Sequence, residues 1–243
     1  MYKYKNYMFD LYGTLADIHT DESDPALWKK TADYYCGKGA VYSAEELRKE
    51  YCRLVDEEKE VIHSQHPEYQ YIDIKIEKIF AELYSQKGIS ASLEEVLETA
   101  KFFRTTSREY IRLYKGIAEL LDALHDSGAN VYLLTNAQRS FTWDELELLG
   151  IREKFDGIVI SSDEECSKPD THFYRIILER YSLDPKETIM VGNDPVADIK
   201  GAKAVGLSAL YIHANISPEF DENSPADYVI PDGDTLKIKD YLL

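Results

Sequence analysis

Asp10 closes the apolar run Tyr7-Met8-Phe9 and is followed at once by Leu11-Tyr12-Gly13-Thr14. A strand that ends in a carboxylate and a Gly-Thr break delivers that carboxylate to the carboxyl edge of a sheet, where open α/β folds hold their ligands. There it can attack an electrophile and form an aspartyl intermediate, dividing one hard displacement into two easier ones. A carboxylate buried there without such a task would cost desolvation energy.

Three later stretches carry compatible chemistry. Leu133-Leu134-Thr135-Asn136-Ala137 ends a strand in hydroxyl and amide side chains just before a helix. The Thr135 hydroxyl and the free N–H groups after it could hold phosphate oxygens, although Thr and Asn also serve as ordinary N-caps. Ser167-Lys168-Pro169-Asp170 offers the one cation expected to face inward. The Lys168 ammonium would offset two anions approaching each other at low dielectric, with Asp170 capping a helix or orienting Lys168. In Met190-Val191-Gly192-Asn193-Asp194-Pro195-Val196-Ala197-Asp198, Asp194 and Asp198 are four apart and share a helix face. With Asp10 they would gather oxygen ligands around one small hard cation, which suits Mg²⁺. Asp194 also fits an N-cap with Pro195 at the first helical position, and Asp198 suits an outer role, orienting waters or Lys168.

Positioning these residues takes two kinds of structure. After a first strand over 7–11, helical spacing replaces short apolar runs for about ninety residues. Residues 17–24 read as an exposed acidic link, and helices are predicted over 27–36, 44–64, 72–87 and 93–113, broken at Gly37-Lys38-Gly39, His66-Pro67 and Lys87-Gly88. Four antiparallel helices with short turns would form a bundle. From about residue 112 the rhythm alternates, with strands predicted at 130–134, 157–161, 188–191, 208–212 and 228–230 and helices at 117–126, 141–149, 172–181 and 196–205. Such alternation implies a mostly parallel sheet, Rossmann-like, with helices on both faces. The expected organisation is an α/β core built from 1–16 and 112–243, discontinuous in sequence, with an all-α insertion over 17–111.

A chain of 243 residues with a formal charge of −17 is large enough for two such lobes and unsuited to nucleic acid or an anionic membrane as main partner. Cys36, Cys52 and Cys166 are odd in number and lack metal-site spacing. No run approaches the roughly 18 apolar residues of a spanning helix, and the expectation is a cytoplasmic protein with reduced thiols.

Taken in order, the four stretches resemble the four motifs of the haloacid dehalogenase (HAD) superfamily. The resemblance covers the core, and the insertion resembles the helical (C1-type) cap of many members. It implies that Asp10 is the nucleophile and, with Lys168, catalytic. It also implies that Thr14, Thr135, Asn136 and Lys168 contact the substrate. Mg²⁺ would be held by Asp10, the Tyr12 backbone carbonyl and members of the set Asn193, Asp194 and Asp198. The implied activity is hydrolysis of a small phosphorylated molecule. Two positions depart from the family: Asn193 stands where most members have Asp, and Tyr12 where most phosphatases carry a second Asp that protonates the leaving group. Tyrosine is a poor base near neutral pH. Haloacid dehalogenases of the family share Asp-x-Tyr-Gly-Thr, because halide leaves without a proton, but they work without a metal. The readings therefore run from a phosphatase suited to good leaving groups, through a dehalogenase-like hydrolase, to a catalytically weakened ligand-binding protein. Asp17 or His19 could supply the missing proton.

Overall fold

The computed structural model describes residues 3–243. Its first elements are β1 (Asn6–Phe9), β2 (Ala16–Thr20), α1 (Pro25–Gly37), α2 (Ala44–Gln65), α3 (Ile76–Ser85), α4 (Leu93–Ser107) and β3 (Arg108–Leu113). Next come α5 (Ile117–Asp126), β4 (Asn130–Thr135), α6 (Arg139–Leu148), β5 (Gly157–Ile160), α7 (Ser161–Glu164), α8 (Thr171–Arg180) and β6 (Thr188–Gly192). A wide turn over Pro195–Lys200 leads into α9 (Gly201–Ala204), followed by β7 (Ser208–Ile212), β8 (Tyr228–Ile230) and α10 (Ile238–Leu242).

Six strands form one parallel sheet in the order β5-β4-β1-β6-β7-β8, which puts β1 between β4 and β6. Alternate residues of a strand face opposite sides. Accordingly Tyr7 and Phe9 join one buried cluster, with Val131, Leu133, Val191 and α5, while Met8 joins another with Leu134, Met190 and α8. Helices thus cover both faces, as strand-helix alternation requires.

The helical segment has an apolar cluster of its own, including Trp28, Tyr35, Phe80 and Phe103, that also takes in Phe141 of α6. Ser43 with Glu46, and Ser92 with Glu95, close reciprocal capping boxes that fix where α2 and α4 begin. Asp24 caps α1 ahead of Pro25. Among the described residues no helix is long and apolar enough to cross a membrane.

Two stretches differ from the sequence expectation. The fourth helix stops at Ser107 rather than near Leu113, because Arg108–Leu113 is extended and pairs antiparallel with Ala16–Thr20. Residues 17–20 are consequently not a solvated link: Ala16 and Ile18 are buried opposite Leu113 and Ile111. Neither segment, five and six residues long, carries enough alternation to announce a strand by itself, and each becomes one only by meeting a partner about ninety residues away. The third helix is also shorter than 72–87, since Ile72 instead bridges antiparallel to Cys166 beside the Lys168 loop.

Candidate active site

Parallel pairing aligns Phe9 with Leu133 on one side and with Val191 on the other. The residues that follow these three positions therefore leave the sheet at one edge, side by side. β1 ends one residue before Asp10, whose N–H still donates to the Val191 carbonyl at 3.0 Å, so the carboxylate is anchored to the rim by its own backbone.

Lys168 joins the segments. Its Nζ donates to Asp10 Oδ1 at 2.7 Å, to Asp198 Oδ1 at 2.7 Å and to the Leu134 carbonyl at 2.8 Å. Burial works against the ammonium, but the two carboxylates outweigh it and raise the Lys168 pKa, so the cation persists. Burial together with the nearby Asp10 charge pushes the Asp198 carboxyl up, against the pull of Lys168. All three donor positions of Lys168 are filled, which fixes its head between the two acids.

Asn136 was expected at the substrate. Its side chain is instead spent on the Lys168 backbone, donating to the Lys168 carbonyl at 2.9 Å and accepting from the Lys168 N–H at 2.8 Å. A primary amide matches the two backbone groups of one residue, so this pair ties the Lys168 backbone to the end of β4. Thr14 is also engaged within the chain: its hydroxyl donates to Asn193 Oδ1 at 3.3 Å and the residue is fully buried. Thr135 differs from both. Its Oγ1 is buried with no hydrogen-bond partner, one residue beyond the carbonyl that Lys168 holds. Leaving a buried hydroxyl unpaired costs free energy, and no group of the chain offsets that cost here.

Asn193 packs on the first loop, and its Nδ2 donates to Ser217 Oγ at 3.2 Å. Gly13 permits that contact: its φ is +85°, and a Cβ there would lie 2.3 Å from Asn193 Nδ2. Asp194 caps the turn that follows, its Oδ1 accepting from Val196 N at 2.7 Å and from Ala197 N at 2.8 Å. Asp198 commits one oxygen to Lys168 and the other to the Asp194 N–H at 2.9 Å. Each Asp198 oxygen therefore already has one donor within the chain.

Among the described residues no three acidic, histidine or cysteine side chains converge as a metal-holding group. The remaining donors are still hard oxygens at one rim. Asp10 spends only Oδ1, Asp194 spends only Oδ1, and the Tyr12 carbonyl has no donor among the described residues. Few protein oxygens and room for water are what Mg²⁺ accepts, so this donor chemistry fits it.

Tyr12 points away from this chemistry. Its hydroxyl donates to Glu145 Oε2 at 2.5 Å and lies 3.2 Å from Thr142 Oγ1. Glu145, 1% exposed, also accepts from Arg104 Nε at 2.8 Å and from Arg108 Nη1 at 2.8 Å. Burial and the Glu145 charge push the Tyr12 hydroxyl well above its usual pKa. Sequence reasoning missed this cluster and took Lys168 as the sole inward cation. The available signal was an acidic residue four positions after Phe141, on the apolar face of α6.

The two proton donors suggested by the sequence sit elsewhere. Asp17 accepts from Arg112 at 2.7 and 2.9 Å and from Asn215 at 2.9 Å. Its burial would raise the carboxyl, but these hydrogen bonds outweigh it and hold Asp17 below the usual carboxylate range. It is a carboxylate at neutral pH and has no proton to give. His19 is on the exposed side of the ribbon near Glu109.

A family model described as haloacid dehalogenase-like hydrolase matches residues 4–206. The chain is 30% identical over 149 residues to a phosphoserine phosphatase of Thermus thermophilus, a match covering 61% of this chain and 59% of that protein. It is 28% identical over 200 residues to the pyrophosphatase PpaX of Bacillus velezensis, covering 82% and 78%. The chain spans between about half and three fifths of the first relatives it matches, at 59%, 54% and 51% of their lengths. Among solved structures, a 2-haloacid dehalogenase from Pseudomonas syringae pv. Tomato superposes with a TM-score of 0.66 at 19% identity, covering 98% of this chain and 97% of that one.

Proposed function

Since the chain belongs to the haloacid dehalogenase-like hydrolases, we propose that it is a Mg²⁺-dependent phosphatase acting on a small phosphorylated molecule through an aspartyl-phosphate on Asp10. The observation that carries this reading is the buried, unpartnered Thr135 hydroxyl beside a lysine that already bridges Asp10 and Asp198. An oxyanion is the ligand those groups lack. The phosphatase relatives support the same chemistry.

Asp10 forms the new bond to phosphorus through one carboxylate oxygen as the bond to the leaving oxygen breaks, and its other oxygen stays with Lys168 and the cation. Lys168 offsets the charge that accumulates between carboxylate and phosphoryl group, and Thr135 hydrogen-bonds a phosphoryl oxygen. The Tyr12 hydroxyl is committed to Glu145, so the leaving oxygen departs as an anion or takes its proton from water. Activated esters are therefore favoured. Water then attacks the phosphorus of the aspartyl-phosphate, releasing inorganic phosphate and restoring the Asp10 carboxylate. Mg²⁺, held by Asp10, the Tyr12 carbonyl and Asp194 or Asn193, would supply charge neutralisation at the phosphoryl oxygens. Residues 17–111 are read as a cap whose α4 rests on α6 and which screens the ester from water.

The test is release of phosphate from an activated aryl phosphate. Turnover should require Mg²⁺, stop with EDTA and vanish in Asp10→Ala. Tyr12 favours a second reading, 2-haloacid dehalogenation, because halide needs no proton. Metal-free halide release from a 2-haloacid, with no phosphate release, would establish that reading in place of the first.

A further inference from the structure

Residues 66–75, between α2 and α3, lie against the core. Ile72 bridges antiparallel to Cys166, the Ser167 N–H donates to the Tyr71 carbonyl at 2.9 Å, and the Asp73 N–H donates to the Glu165 carbonyl at 3.2 Å. The segment is thus a short strap laid along the loop that leads to Lys168. One carboxylate from each side pins it. Asp170 of the core, 4% exposed, accepts from the Gln70 N–H at 2.6 Å through Oδ2 while it caps α8 through Oδ1. In return Asp73 of the strap accepts from the Ser161 hydroxyl at 2.5 Å and from Gln138 Nε2 at 3.0 Å. Gln138 Oε1 completes the exchange by accepting from the Ile76 N–H at 3.0 Å. Burial pushes the Asp73 carboxyl up, against the pull of its hydrogen bonds.

The strap meets two particular loops. Gln138 lies three positions after Thr135, and Asp170 two positions after Lys168. Ser161 Oγ also accepts from the Ala137 N–H at 2.8 Å, so Asp73 reaches the loop after β4 by a second route. These are the loops to which the proposed function assigns the phosphoryl oxygens. The strap holds both from behind, and none of these bonds uses a side chain of Asp10, Thr135 or Lys168.

We propose that Asp73 is a positioning residue for the phosphoryl site: seated on Gln138 and Ser161, it sets the loop after β4 in the geometry that receives the phosphoryl oxygens. The inference rests on the reading of Thr135 and Lys168 given above. Loop groups that must meet an oxyanion are only as well placed as the contacts that support them. Here part of that support comes from the inserted segment, so seating of the insertion and completion of the phosphoryl site are one event.

Calorimetric titration of the full chain with inorganic phosphate, in the presence of Mg²⁺, tests the proposal, because phosphate has no leaving group to touch the insertion. Asp73→Ala should weaken binding about tenfold, the order by which loss of an outer partner loosens a site. Asp73→Asn should bind nearly as wild type does, since its amide oxygen can accept from Gln138 and its nitrogen can donate to the Ser161 oxygen. A residue that only braced the fold would lower the urea midpoint and leave the phosphate affinity of the folded protein alone, and that result overturns the proposal. Where Asp73→Ala fails to fold, Gln138→Met cuts the same tie from the core side: weakened binding upholds the proposal and unchanged binding overturns it. Phosphate release from an aryl phosphate separates this role from the function itself. Turnover in wild type with unaltered phosphate affinity in Asp73→Ala strikes only the positioning role. Phosphate binding that depends on Asp73, without turnover, strikes only the phosphatase reading. A wild type that neither turns over nor binds phosphate ends both.

Discussion

The Tyr12 hydroxyl meets Glu145 Oε2 at 2.5 Å, so the residue at the position of the usual acid–base carboxylate is engaged in the junction between α6 and the helical layer. Tyr12→Phe should therefore lower stability by about 1.5–3 kcal/mol, the range for a hydrogen bond to a charged group. It should change turnover of an aryl phosphate only a few-fold and leave the pH profile in place. Urea denaturation beside steady-state kinetics measures both. A large fall in kcat with a shifted pH profile would make Tyr12 the proton donor.

With no proton donor committed to the leaving group, the rate should fall steeply as that group becomes more basic. A series of aryl phosphates of rising phenol pKa measures the slope. A flat dependence would reveal an acid among residues not assigned that role here.

Lys168 is surrounded by Asp10 and Asp198, with all three side chains mostly or fully buried. Lys168→Met leaves two carboxylates facing each other without a cation. Removing one partner of a buried ionic set costs about 3–5 kcal/mol, and turnover should be lost along with that stability. Asp10→Asn separates the two effects: the fold should persist while turnover disappears. Denaturation midpoints and phosphate release together report the difference.

Thr135 invites the opposite expectation. Because its hydroxyl is buried and unpaired, Thr135→Val should leave stability unchanged or raise it. The catalytic loss should appear in kcat/KM, by about tenfold, the scale of one hydrogen bond to a charged group. A destabilised Thr135→Val with unaltered kcat/KM would show the hydroxyl to be structural.

Acid should loosen the ribbon of β2 and β3. Hydrogen bonds from Asn215 and Arg112 outweigh burial and hold the Asp17 carboxyl below its unfolded value. A folded pKa that is depressed contributes stability above the unfolded pKa, about 3.9, and loses it as pH falls through the folded value. Asp17→Asn should thus lower the urea midpoint at neutral pH and flatten its fall below about pH 4. Arg112 is largely exposed, so solvent screening keeps its share small. Equal acid limbs in wild type and Asp17→Asn would remove Asp17 as the cause.

How much was legible in the sequence follows from the range of the forces involved. Apolar strand runs and helical periodicity are local, and they announced five of the six sheet strands within a residue at each end, and the first within two. The same local logic located Asp10, Thr135, Lys168 and Asp194 at strand ends and helix starts, because each is tied to a turn in its own backbone. Gly13 could be read only as a break; its reason, the close approach of Asn193, lies 180 positions away in the chain.

Tertiary packing alone decided the rest. It assigned Asn136 to the Lys168 backbone and Thr14 to Asn193, since an amide or hydroxyl takes whichever partner lies within reach, and that partner is set by sheet order. It made strands of residues 16–20 and 108–113, whose hydrogen-bond partners are each other. It also buried Glu145 against two arginines 41 and 37 residues upstream, turning Tyr12 away from the chemistry. Short-range periodicity fixes where elements start and stop, whereas the pairing of polar side chains is a property of the assembled sheet, because only there do distant donors and acceptors come within 3 Å or so of one another.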